Sequence, residues 1–444
     1  MLTRIEIDGF KSFESFALDL APFTAIVGPN ASGKSNLFDA LRFVSLLAQF
    51  DIRTAMQDLR GEPEELFRHT RTGTSSTISL AIEVLLARTG TDAFGTSYEV
   101  QAQRLRYTLK LELLQGADGT PRGMLVREED CRPLSKKEET AAYLKQEAIS
   151  YSGRNSPFIE LDEGREAILV RQDGRQKRGR PLRLSLKEAS RTALSTITTA
   201  EFPHLYALRE TLSKVRFLEI NPRAARQSND RFEDRLLKSD ASNLAAVLAR
   251  LKDDTATDLR PEGVLSDIAS DLTSLIPSVR NIDIRLDSNQ RQYSFHLQFR
   301  DDVTFSSRVI SDGTLRLLAL LTVLNDPDRS GTLCFEEPEN GVHEGRISLL
   351  IDFLRTAAQI SSSEEFGYFQ ILLATHSPKV MGALQDFEIV AADSVVSINP
   401  ENFSESTRTR MRTGIAETGD MFDPERQLTR SEIDRLLQLP AGAA

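Results

Sequence analysis

The chain has 444 residues, with 65 acids against 55 bases and a net charge of −10. At 40% apolar and 27% charged it has the balance of a globular protein, which excludes a disordered or fibrous chain. Two cysteines, Cys131 and Cys334, are too few for a disulfide framework or a zinc cluster, and the acidic total excludes a uniformly basic coat but not a local basic patch.

The apolar pattern predicts strands at residues 3–7 and 23–27, the second ending abruptly in Gly-Pro-Asn. A helix is predicted over 35–48, with Leu37, Leu41 and Val44 on one face. Residues 77–86 and 98–114 read as strands, and 115–187 as a polar, turn-rich stretch. Residues 203–276 read as mainly helical, with a strong apolar stripe at 243–251. Three strands are predicted between 281 and 309, then a helix over 311–325. Strand and helix then alternate: 332–336, 343–358, 369–375, 378–384 and 388–392. The last forty residues are polar, with a short amphipathic piece at 430–439. No apolar run reaches the ~18 residues of a membrane span. The first ten residues lack a signal-peptide core. A cytoplasmic location without membrane contact is expected.

Residues 28–35, GPNASGKS, match the pattern G-x-x-x-x-G-K-[ST] between a predicted strand and a predicted helix. In such a loop the glycines let consecutive backbone N–H groups converge on phosphate oxygens, and the helix N-terminus adds its positive dipole end. Lys34 brings a point charge to the β- and γ-phosphates, and the Ser35 hydroxyl suits Mg²⁺. A second motif, LCFEEPEN at 333–340, ends an apolar strand in paired carboxylates. Glu336 suits a metal ion, and Glu337 suits orienting and polarising an attacking water. Ser311, Asp312 and Gly313 open the helix that follows, and by themselves read as an ordinary N-cap. His376 ends a buried strand, where a lone histidine is more often structural.

In chain order (the loop of residues 28–35, the helix start at 311–313, the Glu336–Glu337 pair and His376) the four motifs resemble the ABC-type ATPase head shared by SMC proteins, RecF and the OLD-like bacterial ATPases. Residues 9–13, GFKSF, are similar to the adenine and ribose loop of those heads, which brings in Lys11. Residues 336–343, EEPENGVH, are similar to their Walker B and D-loop. The resemblance implies an α/β fold: a P-loop NTPase head of ABC type, interrupted by an α+β, partly helical insertion lobe. The divisions expected are 1–115 and 281–400 for the head, 116–280 for the insertion, and 401–444 for a polar tail.

The resemblance also implies a mechanism. ATP and Mg²⁺ would be held by Gly28, Asn30, Gly33, Lys34, Ser35, Asn36 and Lys11, with Ser35 and Glu336 at the metal. Ser311, Asp312 and Gly313 of a second copy would close on the γ-phosphate. Glu337 would be the base and His376 the switch histidine, with Asn340 and Gly341 in the D-loop. A homodimer or higher oligomer is expected, with a separate protein effector, because no Asp-x-Asp pair follows His376 to mark a Toprim nuclease. Glu336 replaces the usual Walker B aspartate. Gln101 and Gln103 lie where a Q-loop is plausible, but each also reads as a strand residue.

Residues 171–187 carry seven bases and one acid. Arg175, Lys177, Arg178 and Arg180 at its centre suit a phosphate backbone without reading sequence. A solvated hairpin tip or a patch for an acidic partner fits equally well. The function expected is a DNA-associated ATPase switch in repair or antiphage defence. The alternative is an ATP-gated scaffold that holds or releases a partner toxin or nuclease, with little turnover and no DNA.

Overall fold

The computed structural model describes the chain apart from residues 71–72, 116–120, 145, 152–155, 173–180, 288, 290, 359–367, 399–404, 416–422 and 439–444. Strands β1 (Leu2–Asp8), β2 (Phe16–Asp19) and β3 (Phe23–Val27) lead into helix α1 (Lys34–Leu47). The first large sheet continues with β4 (Thr77–Leu85), β5 (Arg104–Gln115), β6 (Pro121–Pro133), β7 (Ile159–Leu161), β8 (Ala167–Val170) and β9 (Leu182–Ser185). Helix α2 (Pro203–Ser213) precedes β10 (Val215–Leu218). Helices α3 (Leu244–Thr255) and α4 (Leu265–Leu275) come before the pair β11 (Val279–Asp287) and β12 (Gln292–Phe299). Then come α5 (Asp312–Leu324), β13 (Gly331–Glu336), α6 (Ile347–Ala357), β14 (Phe369–Thr375), α7 (Pro378–Ala383), β15 (Ile389–Ile398), β16 (Glu405–Ile415), β17 (Gln427–Thr429) and α8 (Arg430–Gln438).

Two large sheets result. Eight antiparallel strands run in the order β9-β8-β7-β6-β5-β4-β1-β2, and seven run β10-β13-β14-β3-β15-β16-β17. In the second sheet β10, β13, β14, β3 and β15 are parallel neighbours. Parallel strands are buried on both faces, which is why β3 and β14 read as unbroken apolar runs. On one face Ile26, Cys334, Leu372, Ala374 and Val390 share a core with α1 and the eight-stranded sheet. On the other, Ala25, Val27, Leu333, Phe335 and Leu373 pack with α3, α5 and α6. Gln370 joins the two sheets. Its fully buried amide donates to the Leu2 and Ala21 carbonyls at 2.8 and 2.9 Å, and accepts from Leu2 N at 3.0 Å.

Several segments depart from the sequence pattern. Within the segment 116–280, expected as an insertion lobe, β6 to β9 extend the sheet of β1, β4 and β5, and β10 joins the phosphate-loop sheet. A bulge between Val126 and Glu128 breaks the two-residue alternation of β6. It also turns Glu129 inward, where its carboxylate accepts from Ala193 N at 2.6 Å, Leu194 N at 2.9 Å and the Tyr107 hydroxyl at 3.0 Å. The predicted strand at 98–114 begins only at Arg104, because Ser97–Glu99 pairs instead with Thr89–Thr91 in a separate hairpin. Residues 401–444 are not only a tail, since β16 pairs with β15 along nine registered positions.

Replacing Gln370 by Leu should remove three hydrogen bonds to backbone groups of Leu2 and Ala21, of which the Ala21 carbonyl keeps the Thr24 hydroxyl at 3.3 Å. A loss of about 2–4 kcal/mol is expected, read as a lower urea midpoint with unchanged slope. Burial pushes the Glu129 carboxyl up from 4.5 to about 7. A raised folded pKa means the folded chain binds that proton more tightly, so the linked stability is present at low pH and is lost as pH rises through about 7. Glu129→Gln should flatten the stability–pH curve between about 5 and 8, measured as urea midpoints.

Candidate functional site

The site follows from strand register. Val27 stands opposite Thr375 and Ala374 opposite Glu336, so β3, β14 and β13 end together at one edge of the sheet. The connections leaving that edge line a cavity of about 320 Å³ with Asn30, Ser32, Gly33, Lys34, Ser35, Asn36, Glu336, Glu337, Thr375 and His376, among others. A cavity of similar size, about 350 Å³, flanks β10 and meets the second motif only at Leu333, not at its carboxylates.

The loop from Gly28 to α1 is forced into one shape. A side chain at Gly28 would meet the Ala392 carbonyl at 2.3 Å, and Gly33 holds φ at +93°. Gly33 is the N-cap of α1, with no side chain capping the first turn and no acid within it. The first N–H groups of α1 are therefore left for an anion. The Lys34 ammonium donates to the Gly28 and Pro29 carbonyls at 2.8 and 2.7 Å. Burial lowers its pKa, against the opposing pull of Glu336, Glu337 and Glu339. The Ser32 hydroxyl is buried with no hydrogen-bond partner among the described residues.

Opposite lie the carboxylates. Glu337 holds a left-handed φ of +53°, strained for a residue with a β-carbon. Its Oε1 lies 3.2 Å from His376 Nδ1, and its Oε2 accepts from Asn340 Nδ2 at 2.6 Å. Glu339 Oε1 accepts from the Thr375 hydroxyl at 2.6 Å, while its buried Oε2 has no partner among the described residues. Ser377 N donates to the same Thr375 oxygen at 2.9 Å, shaping the turn that carries His376.

Other expected residues lie elsewhere. Lys11 does not line the cavity; its ammonium pairs with Asp39 at 2.6 Å. Ser311 caps α5 by accepting from Thr314 N at 3.2 Å, and Asp312 pairs with Arg226 at 2.5 Å. Neither lines the cavity, and both are exposed. Gly313 packs on Gly341, where a β-carbon on Gly341 would stand 2.3 Å from the Gly313 Cα. Gln101 and Gln103 are remote from the phosphate loop: the Gln101 amide donates to His204, and the Gln103 side chain to the Leu86 carbonyl. Arg175, Lys177, Arg178 and Arg180 lie outside the described residues, and nearby Arg171 and Arg183 are paired with Glu160 and Asp162.

Sequence reasoning missed Arg60, which donates to Ser35 O at 3.2 Å and to Asp39 Oδ1 at 3.0 Å. It also missed Ser12, which holds the Asn36 amide at 2.8 Å. No motif flags Arg60; Ser12 sits inside GFKSF, where its hydroxyl gives no spacing signal.

A family model described as "AAA domain, putative AbiEii toxin, Type IV TA system" matches residues 23–382. The chain belongs to this family. Members of named families match shorter stretches. The Chromosome partition protein Smc of Methanocaldococcus jannaschii is 59% identical over 44 residues, 10% of this chain and 4% of that protein. The DNA replication and repair protein RecF of Aliivibrio fischeri is 30% identical over 91 residues, 20% of this chain and 25% of that protein. The chain thus spans a small part of the relatives it matches. An SMC head solved in complex with the C-winged helix domain of ScpA superposes with a TM-score of 0.51 at 12% identity, over 93% of this chain and 97% of that one. The fold is therefore that of an SMC head, the ABC-type P-loop architecture, and it includes the strands beyond residue 382.

Gly341→Ala should force the Gly313–Gly341 contact apart and cost about 1–3 kcal/mol. Gly382→Ala, in α7 with open space around it, should stabilise by up to about 1 kcal/mol. Thermal unfolding of both variants checks the opposite signs.

Proposed function

We propose that this chain binds ATP with Mg²⁺ and hydrolyses it in a head-to-head dimer, as a DNA-associated switch in repair or antiphage defence that acts with a separate effector. The observation that carries the reading is the common edge of β3, β13 and β14. It gathers a phosphate loop, a strained glutamate and a histidine around one cavity.

The residues present fit a metal–nucleotide complex. Three carboxylates, Glu336, Glu337 and Glu339, face one lysine, so a bare polyphosphate would meet net negative charge, whereas its magnesium complex would not. Among the described residues no group of three or more His, Cys, Asp or Glu side chains could hold a metal. The donors present, the Ser35 hydroxyl and the Glu336 carboxylate, would hold an ion completed by nucleotide oxygens and water. When bound, the ion neutralises charge on the phosphate oxygens.

In this reading the N–H groups from Gly33 onward and the Lys34 ammonium hold the phosphates. Glu337 accepts the proton of the attacking water, and His376 and Asn340 hold its carboxylate in place. Ser311 and Asp312 stand exposed outside the cavity with the half-buried Gly313 beside them, as expected if the three complete the site of a second copy. The Gly313–Gly341–Asn340 contacts then run from that shared surface back to Glu337.

Association with DNA is supported by the names of the SMC and RecF relatives. The family's description, naming a toxin system, supports the second reading: a scaffold that holds or releases a partner and turns over little.

Phosphate release separates the two. Wild type should turn over, Glu337→Gln should fall on the order of 10²–10⁴-fold, and chelation of Mg²⁺ should abolish the rate. Equal slow rates for wild type and Glu337→Gln would remove the enzyme reading. Under ATP, Glu337→Gln should run at twice the monomer mass in light scattering, and Ser311→Arg should not. Charge reversal at Arg175, Lys177, Arg178 and Arg180 should weaken DNA binding and reduce its salt slope; unchanged values would favour the scaffold.

A further inference from the structure

Strand β16 lies outside the residues matched by the family and outside every motif of the sequence, yet it packs on the phosphate loop. Thr409 sits at its centre, 5% exposed. The Thr409 hydroxyl lies 2.7 Å from Ser12 Oγ, and its amide donates to Ser12 O at 2.9 Å. Ser12 Oγ in turn accepts from the Asn36 amide at 2.8 Å, and Asn36 lines the cavity. A β-carbon on Gly33 would stand 2.0 Å from Thr409 Oγ1, so the threonine side chain occupies the space a larger residue would need.

Arg68 fastens the same stretch from a second point. It is 4% exposed, and its guanidinium donates to Thr407 O and Ser406 Oγ, each at 3.1 Å, and to Glu14 Oε2 at 3.0 Å.

We propose that Thr409 is a positioning residue of the nucleotide site, and that a strand outside every nucleotide motif of the sequence sets the affinity of the phosphate loop. The physical route has two branches. Packing of Thr409 against Gly33 holds the left-handed turn that leaves the first N–H groups of α1 facing the cavity. Its hydroxyl holds Ser12, and Ser12 holds Asn36. Neither branch reaches Glu337 or His376, which are held by Asn340, the Ala374 carbonyl and the Thr375 turn. The effect therefore falls on nucleotide binding and not on the chemical step, and it rests on the ATPase reading above.

Two substitutions separate the branches. Thr409→Val keeps the shape against Gly33 and removes the hydroxyl, while Thr409→Ser keeps the hydroxyl. Steady-state phosphate release against ATP concentration is measured for both and for wild type, with thermal unfolding as the control. Thr409→Val should raise KM about five- to tenfold with kcat unchanged, the size of one lost hydrogen bond. Its amide exchange over residues 28–36 should rise, and its melting temperature should stay near that of wild type. Thr409→Ser should return KM to within about twofold. The proposal is overturned if Thr409→Val keeps the wild-type KM, if kcat falls along with the melting temperature, or if Thr409→Ser raises KM as much as Thr409→Val. A wild type that releases no phosphate defeats both this inference and the function it rests on; a wild type that turns over beside an unaltered Thr409→Val defeats this inference alone.

Discussion

Three parallel strands ending in register are the constraint on which the rest depends. Because Val27, Thr375 and Glu336 finish at one edge, the loops that leave β3, β14 and β13 have no choice but to meet. Parallel pairing needs crossovers, and the crossovers place α1 against one face and α5 and α6 against the other. Both faces are thereby buried, and the register cannot slip by a residue without turning the apolar faces of three strands toward the wrong core. The stability of the two cores and the geometry of the cavity are consequences of one alignment.

Within that frame the cavity is held under local strain. Glu337 sits in the left-handed region, the phosphate loop carries Ala31 at φ +64° and Gly33 at +93°, and Gly313 presses on Gly341. Such conformations persist only where the surroundings over-determine them, and here Glu337, Gly33 and the Gly313–Gly341 pair are held by named contacts. The Lys34 ammonium is turned back onto its own loop carbonyls, and Glu337 has one oxygen on Asn340 and the other beside His376. An anion at the loop would compete with the Gly28 and Pro29 carbonyls for the Lys34 ammonium.

Much of the fold was legible where burial and period agree. The strands of residues 23–27 and 369–375, the helices that follow them, and the helix from residue 312 all stand out because their apolar positions match one period without interruption. The pattern failed where it was broken by chemistry. In β6 a bulge and a buried glutamate hide the alternation. In β16 three arginines alternate with two threonines and a methionine, and Arg410 and Arg412 both pair with Asp393, so a half-buried strand reads as a polar tail. Short β10 is lost in its helical surroundings.

The division at the site follows the same logic. Residues 28–35, the Glu336–Glu337 pair and His376 were visible because phosphate and proton chemistry demand particular residue types at fixed spacing, and spacing is a property of sequence. Lys11 was expected at the cavity and is instead held by Asp39. Arg60, Ser12, Glu339 and Thr409 earn their places only through contacts between segments far apart in the chain. The sequence by itself determined which chemical groups are available and in what order. Only the tertiary structure decided which of them share a cavity, because that depends on strand register and on close approaches such as Gly33 to Thr409, and neither leaves a periodic trace along the chain.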